Sequence, residues 1–223
     1  IEEKTLEAMK KLAHELSNIA MERIKVEMDK LLQGKNSSIA FQYSREIGLP
    51  TLFPKLFSSF AQLDSFTPFL NARHGWAAML LLSNVSSAEF ARKFKLSNEE
   101  KRFLKQIEEA SAIRVDHSFQ DLELYRYPLE VLDIGERIHN AQFPDETTRT
   151  LEQLAERKNN LPIKQRSELA FTGNDLLVWL GRCGGKWTSE WIGKIEEAVV
   201  ERRVENDAKA IKEWFLYEIF REE

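Results

Sequence analysis

Apolar residues recur at three- and four-residue steps along almost the whole chain, and the alternation typical of β-strands is nearly absent. This spacing places the apolar side chains on one face of an α-helix. The first two stripes begin at Leu6 and Ala20, and they predict two successive helices, with a cap at Ser17 and Asn18 and an end at Gly34. We therefore predict an all-α fold, an elongated array of many helices.

Capping and turn residues mark the later helices. Ser86 with Glu89 and Ser97 with Glu100 each combine a hydroxyl cap with an acid three residues on, the capping-box pattern. Pro128 suits the first turn of another helix. A further helix is predicted to start at Thr147 or Thr148, the polar run 156–166 to form a loop, and the segment from Thr172 to Gly181 to form a short apolar helix.

An aromatic segment lies between Phe53 and Trp76 and includes Phe57, Phe60 and Phe66. Exposed aromatic rings could stack on unpaired nucleobases. The rings recur at helical spacing, however, and this pattern favours packing in a helical core.

Composition limits the class of protein. The 223 residues are 43% hydrophobic and 30% charged, with Lys+Arg 32 against Asp+Glu 36 and a formal net charge of -4. A chain of this length can bury a large core without metals or disulfides. The acidic balance argues against a general nucleic-acid coat, although local basic patches can still bind a polyanion.

The sequence also indicates a compartment. The single cysteine, Cys183, cannot form an internal disulfide, and neither a signal peptide nor an apolar stretch of membrane-spanning length is apparent. We expect a cytoplasmic protein that is not in a membrane. The chain starts at Ile1 and enters a helical pattern at once, so we expect a fragment or a processed product.

No motif of an enzyme active site is found. We expect ordinary surface or capping roles for the four histidines, because they lie far apart in sequence and lack metal-ligand spacing; they are His14, His74, His117 and His139. Asp116–His117 and Cys183 are the only hints of catalysis. We predict no catalytic residue and no metal ligand in this chain.

Two cationic segments are candidates for phosphate binding. In the first, Gly184 and Gly185 lie between Arg182 and Lys186, and glycines let a backbone approach a phosphate closely, although a turn between helices needs glycine as well. The second segment carries four cations, two before and two after an Asn-Asn turn. The six predicted RNA-binding residues are Arg157, Lys158, Lys164, Arg166, Arg182 and Lys186.

Taken together, the segments resemble a known family. The opening run IEEKTLEAMKKLAHELSNIAMERIKVEMDKLLQG resembles the neck of bacterial tRNA nucleotidyltransferases, the CCA-adding enzymes and their poly(A) polymerase relatives. Its Glu-Arg-Ile-x-x-Glu motif is matched by Glu22, Arg23, Ile24 and Glu27. The run REIGLPTLFP resembles the turn from neck to body, and LAFTGNDLLVWLGRCGGKWTSEWIGKIEEAVVERRVENDAKAIKEW resembles the tail of the Gram-positive CCA-adding enzymes.

The resemblance implies a division into domains and roles. It implies the end of the neck over 1–49, a body over 50–116 and a tail over 117–223, and it implies that body and tail hold the acceptor and T arms of tRNA. Glu22, Arg23 and Glu27 would brace the neck against the templating helix, a structural role.

The head motifs of the family are not found in this sequence: the Gly-Gly-x-Val-Arg-Asp loop, the Asp-x-Asp pair, the Arg-Arg-Asp-Phe-Thr-Ile-Asn-Ala run and the Glu-Asp-x-x-Arg helix. The resemblance places Mg²⁺ and CTP or ATP in an N-terminal head upstream of Ile1, which would be a partner of this chain. We expect this chain to be inactive alone. The alternative reading is a helical protein-interaction scaffold with no RNA role.

Overall fold

The computed structural model describes the backbone of residues 1–222 and the side chains of residues 1–221. No strand occurs within those residues, and the all-α prediction is confirmed. The helices are α1 (Glu3–Leu12), α2 (Met21–Gln33), α3 (Ser37–Glu46), α4 (Leu49–Leu52), α5 (Pro54–Phe57), α6 (Ala72–Leu82), α7 (Ser87–Lys93), α8 (Asn98–Asp116), α9 (Asp121–Arg126), α10 (Leu129–Gln142), α11 (Leu151–Asn159), α12 (Gly173–Leu180), α13 (Lys186–Val200) and α14 (Ala208–Glu222). Short 3₁₀ segments cover Ala13–Asn18, Ser58–Ala61, Leu63–Phe66 and Arg166–Glu168.

The chain divides into two compact units. The first comprises Ile1–Ser118 and Asp133–Thr148, and the second comprises Phe119–Leu132 and Arg149–Glu223. Helix α10 begins in the second unit and continues in the first. These units are defined by compactness alone, so the division into neck, body and tail stays a prediction.

The first unit is built around α6, which packs against α2 and α8. Aromatic rings fill its core: the ring centroids of Phe41 and Phe60 lie 5.1 Å apart, and those of Trp76 and Phe94 lie 5.0 Å apart. Phe57 and Phe66 are buried as well. The aromatic segment therefore packs as a core, as its spacing predicted, and these rings are not available to stack on bases.

In the second unit, α9 packs against α11 and α13, and α12 packs against α13 and α14. Trp191 and Phe215 meet in its interior, with ring centroids 5.2 Å apart. Aromatic rings packed edge to face in this way contribute specific geometry as well as buried apolar area.

The local capping signals are largely confirmed. The side chain of Ser97 accepts from the backbone of Glu100 and that of Glu100 accepts from the backbone of Ser97, and Ser86 accepts from the backbone of Glu89. Helix α12 ends at Gly181, whose φ of 61° is left-handed, a conformation that glycine adopts without strain. Such signals involve residues three or four apart, which explains why sequence alone identified them.

Three local predictions are wrong. Ser17 and Asn18 do not cap α2, because they lie in a 3₁₀ segment and the N-cap of α2 is Ala20. The helix predicted from Thr147 or Thr148 begins at Leu151, where Thr150 is the cap. The run 156–166 is not all loop, because α11 continues through Asn159.

Two histidines are not at the surface as expected. His74 and His139 are 4% and 3% exposed, respectively. Nδ1 of His74 accepts from the backbone N–H of Leu70 at 3.1 Å, and Nε2 of His139 lies 2.8 Å from a carboxylate oxygen of Glu146. Local spacing does not reveal this burial, because it depends on how the helices pack.

None of the helices within residues 1–222 is both long and apolar enough to cross a lipid bilayer.

Candidate nucleic-acid interface

A short glycine-containing loop joins α12 to α13. We call residues 182–186 the glycine loop. The indole N–H of Trp187 donates to the carbonyl of Cys183 at 3.1 Å, and the Arg182 guanidinium lies 5.8 Å from the centroid of the Trp187 ring. The backbone N–H of Gly185 is 3.3 Å from Oγ1 of Thr188. These contacts order the loop while its residues stay exposed to solvent.

The two loop cations have their charge available. The side chain of Lys186 is 92% exposed and its nearest carboxylate oxygen, on Glu190, is 3.9 Å away. Arg182 is exposed, and its contact with Trp187 leaves it without a carboxylate partner among the described residues. Exposed cations without a close carboxylate are accessible to a polyanion, and salt screens their attraction for it.

Arg157 and Lys158, also predicted to bind RNA, lie on α11 and contact α9. Arg157 donates to the carbonyl of Phe119 at 2.7 Å and to the carboxylate of Asp121 at 3.0 Å. Lys158 donates to the carbonyls of Leu124 and, at 3.0 Å, Tyr127. These two carbonyls are at the C-terminal end of α9, where the helix provides no partner. Burial, followed by repulsion from Lys164, lowers the pKa of Lys158.

Lys164 and Arg166 also have partners within the second unit, although both are exposed to solvent. The ammonium of Lys164 donates to the carbonyls of Asn159 and Leu161 at 2.6 and 2.7 Å, and so satisfies the end of α11. The guanidinium of Arg166 donates to one carboxylate oxygen of Glu196 at 2.8 and 2.5 Å. Four of the six predicted RNA-binding residues therefore have intramolecular partners.

Glu196 is the acceptor in a small polar cluster. Its other oxygen accepts from the hydroxyl of Tyr125 at 2.5 Å. Burial opposes the charge of Glu196, but the hydrogen bonds from Arg166 and Tyr125 outweigh it and lower the pKa of this carboxyl. Burial and the bond to Glu196 raise the pKa of Tyr125. The cluster is thus a charged carboxylate with neutral tyrosine and cationic arginine donors, an arrangement that fixes α13 against its neighbours.

The neck residues Glu22, Arg23 and Glu27 are exposed on α2. They lie at the rim of a groove of about 660 Å³ whose apolar lining includes Ile24 and Met28. Glu27 pairs with Lys30 at 2.7 Å. Arg23 and Glu27 lie four residues apart on α2 but form no ion pair, and Arg23 has no partner within the part of the chain that the structure describes.

The described residues contain no group of three or more His, Cys, Asp or Glu side chains that could hold a metal ion. His117 lies 4.0 Å from Asp116, whose side chain is 86% exposed, and Cys183 is exposed and free.

The largest group of unpartnered cations was not found from the sequence. We call Arg92, Lys93, Lys95, Lys101 and Arg102, at the junction of α7 and α8, the α7–α8 cations. Four are exposed and Lys93 is partly exposed. Their backbones take part in helix and turn hydrogen bonds, but within residues 1–221 none of the five side chains has a hydrogen bond or an ion pair. The sequence contains a signal for this group, since residues 92–105 contain six cations and two acids.

Two family models match adjoining parts of this chain. The model "tRNA nucleotidyltransferase domain 2" matches residues 68–215, and the model "Probable RNA and SrmB- binding site of polymerase A" matches residues 1–60. The chain belongs to the tRNA nucleotidyltransferase family.

Relatives and a solved structure agree with this assignment. The CCA-adding enzymes of Bacillus cereus strain ATCC 10987 and Bacillus anthracis strain CDC 684 are 32% and 31% identical, over 96% of this chain and 55% of their own length. The crystal structure of Bacillus stearothermophilus CCA-adding enzyme in complex with CTP matches with a TM-score of 0.85 at 28% identity, covering 99% of this chain and 58% of that one. The chain thus spans about half the length of the curated relatives it matches.

Proposed function

We propose that this chain is the tRNA-binding portion of a CCA-adding enzyme. It would hold the acceptor and T arms so that a catalytic head can add CMP and AMP to the 3′ end. The observation that carries the proposal is the structural match to a CCA-adding enzyme over 99% of the chain. Because this match covers both units, it supports a role for the whole chain rather than for one pair of helices.

The glycine loop supports a backbone-binding role. Contacts to phosphates position an RNA without reading its sequence, and they require cations whose charge is not already neutralised. Arg182 and Lys186 meet this requirement. We propose that these two contact phosphates directly, and that Arg157, Lys158, Lys164 and Arg166 contribute mainly by fixing the elements around them.

Catalysis would depend on a head region. In this proposal Mg²⁺, CTP and ATP bind that head, and Glu22, Arg23 and Glu27 brace the neck against its templating helix. The groove lined by Ile24 and Met28 supports this role, because an apolar groove with a charged rim is the kind of surface that receives a helix.

The direct test is a fluorescence anisotropy titration of labelled tRNA with this chain between 50 and 300 mM salt. We expect affinity to fall as salt rises, because phosphate contacts release counterions. For the double variant Arg182→Gln/Lys186→Gln, we expect roughly 5- to 10-fold weaker binding near 150 mM salt and a log–log salt slope smaller by roughly 1.5, since each contact contributes about 0.7 to 0.9.

The matched control is Lys209→Gln/Lys212→Gln, which removes two exposed positive charges from α14 in the same unit. It should bind nearly as tightly as the unsubstituted chain. If the unsubstituted chain has no salt-dependent affinity for tRNA, the proposed function is wrong. If the two double variants bind equally, the function stands and the role of the glycine loop is wrong.

The alternative of a protein-interaction scaffold rested on the aromatic content and the acidic net charge. Most of the aromatic segment is in the core, so it does not supply an interaction surface.

A further inference from the structure

We infer that the α7–α8 cations form a second RNA-backbone site, in the first unit. The inference rests on the proposed function, because it assumes that the ligand is an RNA. It adds a site that is separate in sequence from the glycine loop and from all six residues predicted earlier.

The first observation is the charge that these residues leave uncompensated. The two acids within residues 92–105 have partners on other elements: Glu99 pairs with Arg73, and Glu100 pairs with Lys25 at 2.7 Å. The nearby Glu108 accepts from the hydroxyl and backbone of Ser87. These acids therefore do not neutralise the α7–α8 cations, and Glu89 is the one nearby acid left exposed and unpaired in the described part of the chain.

The second observation is the position of the side chains on α8. The buried face of this helix carries Phe103, Leu104 and Ile107. Lys101 and Arg102 lie on the opposite face together with Lys105, whose ammonium is 3.6 Å from Glu109 and 70% exposed. Lys101 and Lys105 are one helical turn apart, about 6 Å along the axis. A row of cations at this spacing can follow a sugar-phosphate strand.

The third observation is the backbone at Lys95. Helix α7 ends with the N–H of Leu96 donating to the carbonyl of Ala91 at 2.9 Å, and Lys95 has a φ of 53°. Glycine is the usual residue at this position of a helix end, since a side chain is strained there. A lysine here gives up local stability and places a charge at the corner between α7 and α8.

The surface also lacks what a protein partner would need. The exposed large apolar side chains of the described residues include none between Leu70 and Val115. Protein interfaces have an apolar centre, whereas phosphate contacts need only donors and charge. These features favour a nucleic-acid backbone over an acidic protein.

The test compares two triple variants by the same tRNA titration. For Lys95→Gln/Lys101→Gln/Arg102→Gln, we expect at least 10-fold weaker binding near 150 mM salt and a salt slope smaller by about 2. The control Lys4→Gln/Lys11→Gln/Lys212→Gln removes the same charge from exposed positions with no partner among the described residues, and we expect less than 2-fold change.

A single variant separates binding from folding. Lys95→Gly removes one cation and relieves the left-handed backbone, so its melting temperature should equal or exceed that of the unsubstituted chain while its affinity for tRNA falls about 3-fold. Weaker binding by a chain that is at least as stable supports the site, because loss of structure cannot explain it.

The outcomes are distinguishable. If tRNA binds the unsubstituted chain but the two triple variants bind equally, this site is wrong and the proposed function stands. If the unsubstituted chain does not bind tRNA, both are wrong. If the α7–α8 substitutions leave tRNA affinity unchanged and abolish binding to an acidic protein domain, the surface is a protein site and the inference is overturned.

Discussion

At the scale of single residues, His74 shows how burial changes a titratable group. Its imidazole accepts a backbone hydrogen bond through Nδ1 and packs against Phe69, with ring centroids 5.4 Å apart. Burial and the positive charge of Arg137 lower the pKa of His74 from 6.5 to about 4, against a smaller opposing effect of Asp133. The folded protein therefore keeps this histidine neutral.

This lowered pKa predicts a loss of stability in acid. The unfolded chain takes up a proton on His74 near pH 6.5, whereas the folded chain resists it until about pH 4, so the free energy of unfolding falls as pH falls through this window. We expect a loss of about 2 kcal/mol between pH 7.5 and pH 5 from this group. In urea unfolding, the free energy of unfolding of His74→Gln should fall less between pH 7.5 and pH 5 than that of the unsubstituted chain.

His14→Gln, which replaces an exposed histidine, is the control for that experiment. It should retain the full acid sensitivity. Equal pH dependence in all three proteins would show that His74 does not cause it.

At the scale of elements, the crossing of α2 and α6 depends on Gly75. A Cβ atom at this position would lie 2.6 Å from Cδ2 of Leu32, a side chain that is 1% exposed and cannot easily move. The absence of a side chain at Gly75 therefore lets the two helices approach closely.

We expect Gly75→Ala to lower the free energy of unfolding by about 2 kcal/mol, because overpacking outweighs the better helix propensity of alanine. Urea denaturation provides the measurement. Leu32→Ala removes the closest atoms and leaves only Cβ of residue 32, at 3.0 Å, so the double variant should lose less stability than the sum of the two single variants. In contrast, Gly193→Ala on α13 meets no atom within 4 Å and should be neutral or stabilising by up to about 1 kcal/mol. Additive losses at Gly75 and Leu32 would contradict the steric explanation.

The junction of α9 and α11 depends on Lys158. Its ammonium donates to the carbonyls of Leu124 and Tyr127 at the end of α9. We expect Lys158→Met to cost about 1 to 2 kcal/mol, the typical cost of losing partly buried hydrogen bonds made by a charged donor. Hydrogen exchange should show faster exchange in α9, and chemical denaturation should give the magnitude.

Lys186→Met is the matched control, because it removes the same charge from a side chain that is 92% exposed. Its stability should change by less than about 0.5 kcal/mol. If both variants are equally stable, then Lys158 does not hold α9, and its charge is as available to a ligand as that of Lys186.

At the scale of the whole molecule, the proposed function assigns RNA binding to this chain and nucleotide addition to a separate head. We expect this chain alone to incorporate no CMP or AMP into tRNA, because in the proposed function the catalytic motifs of the family belong to a separate head, and they are not found in this sequence. Addition of a separately produced head from a CCA-adding enzyme should restore incorporation of labelled CTP and ATP. Incorporation by this chain alone, or none by the pair when both are folded, would contradict the division.

Much of the fold could be predicted from the sequence, whereas the intramolecular partners of its cations could not. Helix ends at Ser97, Gly181 and Pro128 could be identified because capping acts between residues only a few positions apart. Residue type and loop position alone gave Arg157 and Arg182 the same predicted role, yet the structure gives them different partners.

The sequence by itself determined the helical architecture and the positions of charge, since both depend on residue type and local spacing. Only the tertiary structure decided which cationic side chains already have partners within the chain. Arg157 and Lys158 find their partners more than 30 positions away in sequence, whereas the α7–α8 cations find none among the described residues. The physical reason is that a charge is available to a ligand only when the fold brings no acceptor to it, and packing alone sets that condition.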